Sequence, residues 1–474
     1  MSEKLKRKYG LFTAICMVVG IVIGSGVFFK AQDILKITGG NMPIGILAWI
    51  IGGAIMLVCL MTFSFMGQKY ERVNGVVDYA EATVGPKYGY MMGWFSAAIY
   101  FPAMTAVLAW VSAMYTMVFI TSAFPAVSLT PLGGDFAGME TVLGSECLAL
   151  TLVYLCFSYG MNALSPKLAG KFQTSTTVIK MIPLALMAVV GLIVGIISGT
   201  LQNNFVNPAH VEAVQAAGGI SGNPLFASVC ATAFAYEGWI IATSINAEIK
   251  DSKKNLPKAL IIGGSIIVAI YLFYYIGVAG GVTNQQLIDQ GATVAFTNIF
   301  GNVVGNILNL FIVISCLGTT NGLMLGCTRC MYSLADRGEG PDPETFSQVD
   351  RKTNMPANSG IFALMITAAW FLYYYLTNIS CIWKGPFAFD SSELPIITIY
   401  LMYLPMLIQW MRKEKNQSVL RRFVMPILAF CGSIFMIVAC ALKHKEDCLW
   451  YLIVFGVIMV IGLVLNRKRR KEVS

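Results

Sequence analysis

Two polar interruptions sit inside otherwise apolar runs of this 474-residue chain, Gly24-Ser25-Gly26 and Ala235-Tyr236-Glu237-Gly238. Glycine costs about 1 kcal/mol relative to alanine in a helix interior. A helix broken in hydrocarbon also exposes N–H and C=O groups costing several kcal/mol each, unless protein, water or a ligand satisfies them. Unwinding at Gly24, Ser25 and Gly26 aims the N–H groups of a restarting helix at an anion, the charge favoured at a helix N-terminus. The carbonyls left behind, around Val22 to Gly24 and from Phe234 to Glu237, can accept from an ammonium group. A ligand with a carboxylate and an ammonium at fixed separation is an α-amino acid. The competing reading of Gly24-Ser25-Gly26 is a close-packing patch between helices. The matching interruption at residue 235 weighs against that reading.

Lys180 is the other residue with chemical potential. It lies roughly nine residues into an apolar run, hence about 13 Å deep at a rise of 1.5 Å per residue. A charge inside a membrane segment marks function by default; the alternative is an amine snorkelling to the headgroups.

The elements that must position these residues are membrane spans. The chain is 57% hydrophobic and only 12% charged, against roughly 25% charged in globular proteins. No Asp, Glu, Lys or Arg occurs between Lys36 and Lys69, between Lys87 and Asp135, or between Asp289 and Arg329. Hydropathy predicts about twelve spans, at 10–36, 43–67, 88–120, 147–161, 172–198, 223–247, 257–281, 302–333, 357–376, 394–411, 424–442 and 448–466. Segments 70–87 and 282–301 are too polar to span and read as short surface helices. The polar stretch from Ala335 to Pro356 reads as a loop.

Lys and Arg are absent from the loops at 121–143, 199–222 and 282–301 and recur in the intervening ones, from Lys167 and Lys171 to Arg421 and Arg422. This places both termini in the cytoplasm. Lys384, Lys443 and Lys445 then fall outside, accompanied by Asp390, Glu393, Glu446 and Asp447. The whole chain reads as a single membrane domain. With spans one to five (10–198) and six to ten (223–411) as halves of odd span number, the halves have opposite orientation, an inverted repeat, and 424–466 adds two helices. Interrupted segments at corresponding positions, spans one and six here, are the sequence pointer to a transporter binding site.

Several other chemistries find no support. The net charge of +9 is spread over the loops between apolar runs and the two ends, a topology signal rather than a nucleic-acid surface. Most of the twelve cysteines lie in apolar runs as small hydrophobes and are expected to be reduced. Cys327-Thr328-Arg329-Cys330 matches C-x-x-C without a second pair or a nearby histidine. His210 and His444, the only histidines, both fall in predicted external loops. No metal site, no cofactor and no catalytic nucleophile with its base is therefore expected, and the chain does not read as an enzyme. Arg329 and Asp336, with Glu248, are expected to form contacts at the cytoplasmic side.

The motifs "GSGVFF" in span one, "VIKMIPL" in span five, "AFAYEGW" and "EIKDSKKNLPKAL" in and after span six, and "CLGTTNGLMLGCTRCMYSLADRG" in span eight occur in order along the chain. Together they resemble the amino acid, polyamine and organocation (APC) transporter superfamily, and within it the bacterial relatives of the L-type amino acid transporters. The resemblance covers nearly the whole chain. It implies an all-α fold of twelve spans, with a five-plus-five inverted repeat (LeuT-like), spans one and six broken and two extra helices. It also implies alternating access around a central amino acid.

Position by position, the resemblance implies that Ser25, Gly26 and Val27 hold the substrate carboxylate beside Gly24. Val22, Ile23, Phe234, Ala235 and Glu237 would offer backbone carbonyls to the amino group, and Phe234 would close over the substrate from outside. Lys180 would stand where sodium-coupled cousins bind sodium, contacting the span-one break and, on span eight, Ser315 and Thr319. That implies sodium-independent transport with Lys180 as a fixed tether or as a proton carrier. For Glu237 three roles stand open: facing a cationic substrate, pairing with Lys180 or a hydroxyl, or a protonated structural acid. After span two this chain reads "NGVVDYAEA" where relatives show Gly-Gly followed by aromatics, so the inner gate departs from the family pattern.

Eukaryotic L-type transporters pair with a glycoprotein through an external cysteine between spans three and four. That loop has no cysteine before Cys147 here, and no heavy-chain partner is expected. The expected setting is a prokaryotic inner membrane. The reading is amino acid exchange, with proton-coupled symport and a membrane amino acid sensor as alternatives.

Overall fold

The structure is a computed structural model, and it describes residues 10–24, 26–70, 75–124, 145–206, 224–240, 243, 249–353 and 355–473. Its regular elements among these residues are helices. We number them α1 (Leu11–Val22), α2 (Gly26–Thr38), α3 (Met42–Lys69), α4 (Val76–Thr83), α5 (Pro86–Ala123), α6 (Ser145–Leu164), α7 (Lys167–Ile197) and α8 (Thr200–Val206). There follow α9 (Pro224–Tyr236), α10 (Ser252–Gly281), α11 (Asn284–Gln290), α12 (Ala292–Ala335), α13 (Pro343–Phe346), α14 (Ala357–Ile379), α15 (Leu394–Lys413), α16 (Leu420–His444) and α17 (Glu446–Asn466).

Among the described residues, 10 helices are long and apolar enough to cross a membrane, or 11 if the bent pair α1 and α2 forms one span. This is a multi-pass membrane protein. The expected span at 223–247 is not one continuous helix: α9 stops at Tyr236, and Glu237 and Gly238 form a turn in which Gly238 takes φ 97°. That is a left-handed conformation glycine adopts without a Cβ clash. α1 stops at Val22 and α2 restarts at Gly26 at an angle of 52°. The first interruption is therefore a bend between two helices, and the second is the end of a helix. The segment 282–301 forms α11 and the first turns of α12, and α12 kinks at Gly301 (φ 77°), where the sequence places the start of span eight.

Local signals explain the ends. The Asn41 side chain accepts from Ile44 N–H at 3.1 Å, with Pro43 in the first turn, and so opens α3. α11 starts with a capping box between Thr283 and Gln286. The two breaks are held by long helices: α10 packs on α1 and α3, while α12 packs on α5 and α7. Between α3, α9 and α10 lies an aromatic knot in which Trp49 has Tyr236 and Tyr271 edge-on, both at 5.5 Å between centroids. Tyr236 donates its hydroxyl to Trp49 O at 3.0 Å, which ties the last residue of α9 to α3.

At the end of α12, Arg337 forms ion pairs one residue beyond the expected Asp336. Arg337 binds Asp78 and, at 2.7 Å, Glu81, both on α4. Glu248, the third residue expected in this group, lies outside the described residues. All twelve cysteines are free thiols.

Candidate functional site

The two breaks meet. A Cβ placed on Gly26 would stand 2.7 Å from Ala235 Cα, so the first residue of α2 touches the backbone near the end of α9, and only glycine permits that approach. The Tyr271 hydroxyl from α10 lies 3.1 Å from Val22 O and 3.1 Å from Ala235 O. One hydroxyl proton cannot satisfy two carbonyls, so the pair retains acceptor capacity for another donor. These are two of the carbonyls that the sequence assigns to an ammonium group.

Facing them, the first N–H groups of α2, from Gly26 and Val27, have no partner within their own helix by construction. Val27 is fully buried. Ser25 lies outside the described residues. A narrow cavity opens between the breaks, with Val22, Gly24, Gly26, Phe234, Glu237 and Thr319 among its lining. Phe234 is 5% exposed, and Lys30 Nζ stands 5.6 Å from its ring centroid.

Lys180 is buried and points into the first break. Its Nζ donates to Gly20 O at 2.6 Å, to Ile23 O, and to Thr319 Oγ1 at 3.3 Å. Thr319 Oγ1 in turn lies 3.1 Å from Ile23 O. Thr319 Oγ1 also lies 3.2 Å from Ser315 O, so its single proton is shared between two carbonyls while Lys180 donates to Ile23 O. The Ile23 carbonyl is thus bonded to Lys180, whereas Val22 O and Ala235 O share the Tyr271 hydroxyl. The position of Lys180 also decides between the two hydroxyls of α12. Thr319 takes the contact, while the buried Ser315 hydroxyl has no hydrogen-bond partner. The snorkelling reading of Lys180 fails, because the side chain is 0% exposed.

Glu237 is buried and receives the Tyr100 hydroxyl. Of the roles left open for it, pairing with a hydroxyl is the one observed, and pairing with Lys180 is not. Tyr100 closes a π-turn (Ser96–Tyr100) in α5, a local widening that recurs at functional sites. It carries no sequence signal beyond the nearby Pro102.

Sequence reasoning also missed a polar relay behind Lys180. Gln173 Nε2 donates to Gly20 O at 3.3 Å, Asn321 Nδ2 to Gln173 Oε1 at 3.4 Å, and Asn162 Nδ2 to Asn321 Oδ1 at 2.9 Å. It links α6, α7 and α12 to the carbonyl that also receives Lys180. Tyr271→Phe removes the shared proton from Val22 O and Ala235 O. The expected result is a weakening of amino acid binding by about tenfold, matching one hydrogen bond of about 1.5 kcal/mol, read as a rise in Kd with protein yield unchanged.

Comparison with known proteins bears on the same residues. The sequence profile described as amino acid permease matches residues 9–464, including both breaks and Lys180. The chain belongs to the amino acid permease family. This permease is similar to the serine/threonine exchanger SteT of Bacillus subtilis, at 27% identity over 97% of this chain and 95% of that protein. It is also similar to the b(0,+)-type amino acid transporter 1 of Mus musculus, at 24% identity over 92% of this chain and 83% of that transporter. A third relative is the large neutral amino acids transporter small subunit 2 of Homo sapiens, at 26% identity over 74% of this chain; the match spans 62% of that transporter's length. The permease is thus a transport protein of this family and not an enzyme.

Proposed function

We propose that this permease moves amino acids across the cytoplasmic membrane by sodium-independent alternating access, as an exchanger. Both termini face the cytoplasm, and the chain is one membrane domain of twelve spans. Its two inverted halves run over about 10–198 and 223–411, and two helices follow. No heavy-chain partner is required.

The observation that carries the reading is the meeting of the two breaks, with Gly26 against Ala235 and one Tyr271 hydroxyl between Val22 O and Ala235 O. In this arrangement the α-carboxylate docks on the N–H groups of Gly24 to Val27, where the helix dipole of α2 favours negative charge. The ammonium completes the half-served carbonyls of Val22 and Ala235. Phe234 covers the bound molecule on the outer side. Lys180 supplies a fixed positive charge at the first break and so replaces a coupling cation. Ser25 belongs to the same carboxylate set by its position between Gly24 and Gly26. The relatives named as exchangers and amino acid transporters support the direction of this reading.

The test is uptake of labelled serine, leucine and lysine into sodium-free proteoliposomes, empty or preloaded with unlabelled amino acid. Exchange predicts uptake into preloaded vesicles only. Accumulation in empty vesicles driven by an inward proton gradient makes the permease a symporter, and binding without uptake in any condition makes it a sensor.

A further inference from the structure

A second cluster of chemistry-bearing side chains lies away from the two breaks, where α9, α15 and α16 come together. Glu393, the residue preceding α15, is 1% exposed. Its Oε1 receives Lys30 Nζ at 2.7 Å, and its Oε2 receives Lys443 Nζ at 2.6 Å. That same Oε2 lies 2.9 Å from His444 Nε2 and 3.5 Å from Cys230 Sγ. The candidate ligand atoms of Cys230, Glu393 and His444 all lie within 4.8 Å of one another. Cys440 adds a second sulfur 2.6 Å from Cys230 Sγ. It sits one helical turn before His444 on α16 and so shares its face.

We propose that Cys230, Cys440, His444 and Glu393 form a site for a soft divalent cation, zinc by ligand type. Two sulfurs, an imidazole and a carboxylate are a ligand set that zinc accepts in tetrahedral geometry, with bonds of about 2.3 Å to sulfur and about 2.0–2.2 Å to nitrogen and oxygen. Such bonds separate ligand atoms by about 3.3–3.8 Å. The Cys230–Glu393 distance already fits and His444 and Glu393 need to part slightly; the sulfurs need to open by about 1 Å, and Cys440, which lies outside the cluster of the other three ligand atoms, needs to swing toward it.

On binding, the two thiols give their protons to solvent and coordinate as thiolates, and His444 coordinates through Nε2 as neutral imidazole. A zinc dithiolate carries no net charge. Lys30 and Lys443 therefore keep their balance with Glu393 and with Asp33, which lies 3.1 Å from Lys30 Nζ. Glu393 Oε1 stays with Lys30 and orients the ligating carboxylate, as outer partners do in metal sites. Entry is past Lys443, whose side chain is 24% exposed beside the buried ligands. The metal ties α9, which carries Phe234, to α16.

The sequence reading excluded metals because His444 has no neighbouring ligand motif. Cys230 and Glu393 reach it from α9 and from the start of α15, far away in the chain.

The test uses the full chain, reduced and in nanodiscs, titrated with Zn2+ against a chromophoric chelator and with Co2+ in parallel. The expected result is one zinc per chain, proton release on binding, and a cobalt spectrum with sulfur-to-metal charge-transfer bands. Loss of an outer partner alone lowers metal affinity by about 10–100-fold. Cys230→Ser and His444→Gln, each removing a ligand, are therefore expected to weaken binding at least that much, while Cys156→Ser, an exposed thiol, leaves it unchanged. Zinc affinity equal in wild type, Cys230→Ser and His444→Gln overturns the proposal. So does a thiol count two short of twelve that recovers on reduction, because the sulfurs are then a disulfide. Binding is read without transport, so failure of this site and failure of the exchange reading remain separate results.

Discussion

Lys180→Met is expected to lower amino acid exchange by at least about tenfold, because it removes the side chain that, among the described residues, donates to both Gly20 O and Ile23 O at the first break. A hydrogen bond from a charged donor contributes about 1.5–3 kcal/mol, and leaving a buried acceptor unserved costs about 1–3 kcal/mol. The charged hydrogen bonds alone, at about 1.5–3 kcal/mol apiece, exceed the roughly 1.4 kcal/mol that corresponds to tenfold in an equilibrium. Thr319 and Gln173 can each serve one of the two carbonyls but lack the charge. Lys180→Arg is expected to fail as well, because the planar guanidinium does not fit a pocket shaped for a compact ammonium. Initial exchange rates in proteoliposomes, normalised to inserted protein, check both variants. Exchange at the wild-type rate in Lys180→Met removes Lys180 from the mechanism.

Gly26→Val is expected to abolish binding and exchange together. A Cβ at residue 26 meets Ala235 Cα at 2.7 Å and Ala235 N at 3.4 Å, and these are backbone atoms that cannot rotate away. The two broken helices must part, and a small shift at a site built from backbone groups removes the pairing of carboxylate and ammonium positions. Gly456→Val supplies the control, since no atom lies within 4 Å of a Cβ built there. Ligand-induced thermal stabilisation reads the effect: Gly26→Val is expected to show none, and Gly456→Val the wild-type shift.

The breaks and the buried lysine were legible in the sequence because each is a local violation in an apolar run, and a violation needs no partner to be seen. Gly24, Gly26, Glu237, Gly238 and Lys180 are of this kind. Partner choice was not legible. Ser315 and Thr319 are four residues apart on one face of α12, and it is the packing of α12 against α1 and α7 that brings Thr319 to Lys180. Ile23 and Val22 are adjacent carbonyls that point to different partners once the helix has unwound, so no residue pattern separates them.

Tyr100 and Tyr271 were invisible for another reason. An aromatic in an apolar run reads as core, and both are indeed buried; what makes them functional is the hydroxyl at one end. The cluster at Glu393 was hidden by distance along the chain, and His444 was placed in an external loop although it ends α16 and is 9% exposed in its side chain.

The central claim is that backbone groups at two breaks recognise both charged ends of an α-amino acid. The measurement that tests it most directly is competition for binding of a transported, labelled amino acid by its methyl ester and by its N-acetyl derivative, each of which keeps the side chain and one charged end. Both analogues are expected to compete at least about a hundredfold more weakly than the parent, each losing one set of charge-assisted hydrogen bonds of about 1.5–3 kcal/mol apiece. An ester or an N-acetyl derivative that competes as well as the parent amino acid would contradict the account.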